Sequence, residues 1–177
     1  MRIRPVMAAR RRLATPEARA RVRLVFTKGA GRYDRLEVIR PDGDVLAIDQ
    51  PKQRILPHDM MHALVEAELE GGFIDAVAGG ADVAFARGSW SERAEAFERL
   101  VEALQAAAWS GGTSPADIIA LYEVACGARG HAVWPLDAVI VERLVARVAD
   151  AQAQWDALPA GGSIEFEHAV RAAGPLP

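Results

Sequence analysis

From Arg21 the chain alternates: Val22, Leu24 and Phe26 face one way and Arg21, Arg23 and Val25 the other, the period-two pattern of a half-buried strand over Arg21–Thr27. Lys28-Gly-Ala-Gly31 then reads as a loop; it lacks the Lys-Ser/Thr that would follow in a phosphate loop and it joins two strands. Leu36 and Val38 set against Arg35 and Glu37 predict a second strand over Tyr33–Arg40. Pro41-Asp42-Gly43 is a turn, since proline presets its φ angle and glycine accepts a positive one. A third strand, Asp44–Asp49, completes an antiparallel meander.

After Pro51 the period changes to that of helices. Pro57 opens the first, where a missing N–H costs nothing, and Gly71-Gly72 ends it after Glu70. A short helix over Phe73–Ala78 follows. Ser89 with Glu92 reads as a capping box for a helix whose buried stripe is Phe97, Leu100, Val101 and Leu104, ending near Trp109. Ser114-Pro115-Ala116-Asp117 starts another, with Ile118, Ile119, Leu121, Tyr122 and Ala125 inward and Gly127 as its stop. The longest helix, Leu136–Leu158, repeats Val141, Leu144, Val148, Ala151, Trp155 and Leu158 at alternating spacings of three and four, a seam for close helix packing. The seam serves either an internal helix pair or a homodimer. Ser163–Val170, with Ile164, Phe166, His168 and Val170 of one parity, predicts a closing strand paired with the meander.

The fold class is therefore α+β: an antiparallel sheet of three or four strands, the N-terminal meander plus the C-terminal strand, packed against four or five helices. Composition adds that 177 residues, 51% of them apolar, suffice for one domain with a true core. That domain is expected over 21–170, with 171–177 a tail. The net charge of −3 conceals an asymmetry: residues 1–23 hold eight arginines against the single acid Glu17, and the rest carries 13 basic and 23 acidic residues. Residues 1–20 thus read as a basic, disordered extension, and only there is a nucleic-acid contact expected. No apolar run approaches a membrane span, no secretory leader is visible, and the single Cys126 excludes an internal disulfide, which together suggest a cytoplasmic protein.

One segment carries candidate chemistry. On the helix from Pro57, Met60, Met61, Leu64, Val65 and Leu69 form the core arc, and His58, Asp59, His62 and Glu66 share a neighbouring arc. Histidines at i and i+4 stack one turn apart, so both rings can reach one cation, and Zn²⁺ accepts such nitrogens. An acid just after the first histidine is where a zinc hydrolase holds its general base, which makes Asp59 the candidate base. Glu66 lies about 12 Å along the axis from His58. It is suited to orienting His62 rather than to ligating.

His58-Asp59-x-x-His62 resembles the H-E-x-x-H helix of zincin metallopeptidases, with aspartate in place of glutamate, and the H-D-x-x-H motif of the ubiquinone-biosynthesis zinc protein family. Both resemblances imply zinc on His58 and His62, and both cover only five to twenty residues. In the second family a glutamate stands twelve positions after the second histidine; this chain has Ile74 there and Asp75 one step later. The longer string Ile55–Glu66 followed by Gly-Gly-Phe73 resembles a group of small uncharacterised bacterial proteins, which implies no activity.

The third ligand is expected to be His168, whose strand parity turns it inward with Ile164 and Phe166, or Asp75, with Asp82 and His131 the other candidates. Three functions remain: a divalent-metal site, with a metal-dependent hydrolase the first enzymatic expectation; a metal-free small-ligand site using the same histidines; and a non-enzymatic binding or scaffold protein using the 136–158 helix, the histidines being purely structural. Cys126, on an apolar helix, is read as a small core residue.

Overall fold

In a computed structural model, which describes residues 21–69, 72–78 and 91–169, four strands form one antiparallel sheet. They are β1 (Arg21–Thr27), β2 (Tyr33–Ile39), β3 (Val45–Pro51) and β4 (Ser163–Ala169), in the spatial order β3-β2-β1-β4. The alternation of the sequence decides their faces. Val22, Leu24, Phe26, Leu36 and Val38 are buried, with Leu46, Ile48, Ile164 and Phe166 partly so. The opposite face carries exposed cross-strand pairs, Arg21 with Glu167 and Arg23 with Glu165. Between β2 and β3 the predicted turn closes through Gly43 N donating to Arg40 O, and Gly43 takes a φ of 89°.

Five helices among the described residues complete the fold: α1 (His58–Leu69), α2 (Phe73–Ala78), α3 (Glu92–Ser110), α4 (Pro115–Arg129) and α5 (Ala138–Ala157). α1 is the central one, touching α2, α3, α5 and β4. Its Met60, Met61, Leu64 and Val65 are buried against Phe97, Leu100 and Val101 of α3 and the inner sheet face. The α5 seam, Val141, Leu144, Val148, Ala151 and Trp155, is buried in the chain's own core, so it serves as an internal packing surface.

Details of α3 and α4 differ from expectation, each for a local reason. The serine that caps α3 is Ser91, whose Oγ accepts from Ala94 N; Ser89 lies outside the described residues. α4 runs through Gly127 to Arg129, because a glycine inside a helix costs only about 1 kcal/mol and Gly130 supplies the left-handed cap, at φ 69°. α4 is also an outer helix: it buries Ile118, Tyr122 and Cys126, while Leu121 is exposed. Burial raises the Cys126 thiol pKa, which suits an inert core residue. The basic segment 1–20 and the tail 171–177 lie outside the described residues. No helix among the described residues is long and apolar enough to cross a membrane.

Candidate metal centre

The polar arc of α1 does not face solvent. It is closed over by α3, so Asp59, His62 and Glu66 are buried and His58 is half-buried. Opposite the two histidines α3 presents Glu98, whose carboxylate divides between them: Oε1 lies 3.4 Å from His58 Nε2 and Oε2 lies 2.9 Å from His62 Nε2. The rings themselves stand 4.8 Å apart, centroid to centroid. One donor atom from each of His58, His62 and Glu98 lies within 4.8 Å of the others, so the group can hold a metal ion.

The outer nitrogens are also engaged. His58 Nδ1 is 3.2 Å from Asp59 Oδ1, and Gln50 Nε2, reaching across from β3, donates to Asp59 Oδ2 at 2.7 Å. His62 Nδ1 faces Glu66 Oε1 at 3.5 Å, a charge contact longer than a closed hydrogen bond. Glu66 is itself fixed from below: both of its oxygens accept from Ile74 N at the start of α2, at 3.1 and 2.9 Å. Phe73 of α2 packs against the His62 ring at 5.1 Å and forms the apolar wall of the site. Each histidine thus has a carboxylate on its Nδ1 side and shares Glu98 on its Nε2 side. That arrangement fixes ring orientation and raises ligand basicity in metal sites.

The charges follow from this. Burial alone pushes His58 down, but hydrogen bonds to Asp59 and Glu98 outweigh it and raise its pKa to about 9. Burial opposes His62 in the same way, and Glu66 and Glu98 raise it. Glu98 is pushed up by burial, yet the two histidines hold it well below the usual carboxylate range. Without metal these surroundings therefore favour the protonated form of both histidines and the ionised form of Glu98.

Gly72 makes the Glu66 anchor possible. Its φ is +146°, and a Cβ there would stand 2.8 Å from Glu66 Cδ. Gly72→Ala is expected to displace the Glu66 carboxylate and lower stability by about 1–3 kcal/mol. Urea unfolding of the variant beside the parent protein measures it, and an unchanged midpoint would speak against Glu66 being held there.

The remaining sequence candidates divide clearly. His168 is buried on β4, in register with Val22, and is not one of the three clustered residues. His131 sits at the rim of the adjoining cavity, its Nε2 3.5 Å from Glu95 Oε2. Asp75 falls in α2, with its side chain outside what the structure describes, and Asp82 lies outside the described residues altogether. The group that sequence reasoning missed is Glu98. It sits beside the apolar stripe of α3 and looks like any solvated acid until α1 packs against that face. The cluster opens onto a cavity of about 540 Å³, also lined by Arg99, Glu102 and Arg129.

No protein-family model, curated protein or solved structure matches this chain, so its class is set by what it contains: an α+β fold with a His-His-Glu cluster between two helices.

Proposed function

We propose that this chain binds one divalent cation, zinc foremost, through His58 Nε2, His62 Nε2 and the Glu98 carboxylate. The observation that carries the reading is the convergence of both Nε2 atoms on one carboxylate, each ring backed by a second acid. Two zinc ligands at about 2.1 Å and tetrahedral angles stand about 3.4 Å apart, and the His58–Glu98 separation is 3.4 Å. Two histidines and a carboxylate are also a common donor set of catalytic zinc, which keeps a position open for a ligand. Charge balance agrees. Asp59, Glu66 and Glu98 lie against the two histidines and favour positive charge there, which a divalent ion would supply in place of protons.

When bound, such an ion supplies Lewis acidity at the floor of the cavity, which makes metal-dependent hydrolysis the reaction class this site suits. In this reading Asp59 orients His58 rather than acting as base, because its oxygens already face His58 and Gln50. Glu66 does the same for His62.

Calorimetric titration of metal-free, untagged protein with zinc tests the proposal. One site is expected, with affinity falling at least about a hundredfold in Glu98→Ala and about 10–100-fold in Asp59→Asn, the range for losing an outer partner of a ligating histidine. No saturable binding to the parent protein, or equal binding to the Glu98 variant, would overturn it.

A further inference from the structure

The cavity over the cluster contains a second feature that the metal reading does not use. Arg99, next to Glu98 on α3, is only 7% exposed. Its Nη2 is 3.8 Å from Glu98 Oε1, the same oxygen that faces His58, so the guanidinium adjoins the donor set directly. Its Nη1 is 3.3 Å from Glu102 Oε1, and its buried Nε has no hydrogen-bond partner among the described residues. A desolvated arginine is ordinarily secured by short, paired bonds to a carboxylate or phosphate, because its planar fork matches those groups two bonds at a time. Here the fork makes two long charge contacts at the edge of a cavity, and leaving buried donors unsatisfied is costly.

Glu102 shows what the fork is shaped for. Its carboxylate is shared between Arg99 and Arg129, whose Nη1 lies 3.1 Å from Oε2. Its side chain is 37% exposed, at the rim of the cavity, and so can turn away into water. An incoming oxyanion would take the place of this carboxylate beside two arginines.

We infer that the ligand of this cavity carries an oxyanion, a carboxylate or a phosphate, received by Arg99 beside the metal cluster with Glu102 as the chain's own occupant of that position. The inference rests on the proposed metal site, and it assigns Arg99 as the residue that selects an anionic ligand. Arginine rather than lysine suits the role, since a point charge would not hold a planar or tetrahedral oxyanion in one orientation.

Cobalt-loaded protein, freed of excess metal, tests it through its visible spectrum. Inorganic phosphate and acetate are titrated separately at constant ionic strength, so that the two arms distinguish the oxyanions. A saturable spectral change is expected with at least one of them. Arg99→Met should keep the cobalt spectrum and weaken that anion about tenfold or more, the loss of one or more charge-assisted hydrogen bonds. Glu102→Gln, which removes the competing charge, should tighten it. If Arg99→Met fails to fold, the parent titration and Glu102→Gln decide alone. A cobalt spectrum that neither anion perturbs, or affinities unchanged in Arg99→Met, or no tightening in Glu102→Gln, would overturn the inference and leave the metal reading standing. Failure to bind cobalt at all would remove both.

Discussion

His62→Ala is expected to lower stability of the metal-free protein at pH 6 by about 3–5 kcal/mol, the range for removing one partner of a buried ion pair. The side chain is 1% exposed and stands between Glu66, 0% exposed, and Glu98. Deleting it takes a positive neighbour from the desolvated Glu66 and opens a void against Phe73. Glu66 keeps its bonds from Ile74 N. His58→Ala should cost less, because His58 is 29% exposed and water replaces part of what is lost. Urea unfolding in the presence of chelator separates the two. Equal and small losses, below about 1 kcal/mol, would mean that the cluster contributes little to folding.

The second large effect is in pH. The pKa of His58 is raised from 6.5 to about 9, and that of His62 is raised as well, so the folded state keeps protons that the unfolded chain releases. Their contribution is complete below pH 6.5 and is lost as pH rises toward about 9. Glu98 is shifted the other way: its contribution is present above its ordinary 4.5 and disappears as acid protonates it in the folded state. The metal-free protein should therefore be most stable between pH 4.5 and 6.5 and lose stability steadily from pH 6.5 to 9. Zinc needs the histidines without their protons, so its stabilisation should grow over that same interval. Thermal unfolding at a series of pH values, with chelator and with zinc, reads both curves. A metal-free curve flat from pH 5.5 to 9 would contradict the charge assignment made to the cluster.

Much of the fold was visible because it depends on period. Strands β1 and β2 bury the parity that alternation marks, and the polar arc of α1 is an arc in the folded chain too. The places where reading failed depend on neighbours instead. Gly127 looks like a helix stop and is not one, because Gly130 three residues on gives the better cap. Leu121 looks inward-facing and is exposed, because α4 has neighbours on one side only. The site divides the same way. His58, Asp59, His62 and Glu66 are brought together by spacing within one helix, which a sequence displays. Glu98, with Arg99 beside it, enters through the packing of α1 on α3, thirty-six residues along the chain from His62, and Gln50 through the fold-back of β3 onto the start of α1. No local signal separates Glu98 from Glu92 or Glu95 on the same helix.

The most direct test is elemental analysis of the full chain, purified without a histidine tag and without chelator, alongside a Glu98→Ala, His62→Ala double variant checked for folding by circular dichroism. The metal-site account predicts close to one equivalent of a divalent transition metal, zinc foremost, in the parent protein and none in the variant. A folded parent protein that carries no metal and takes up none on dialysis against zinc would contradict it.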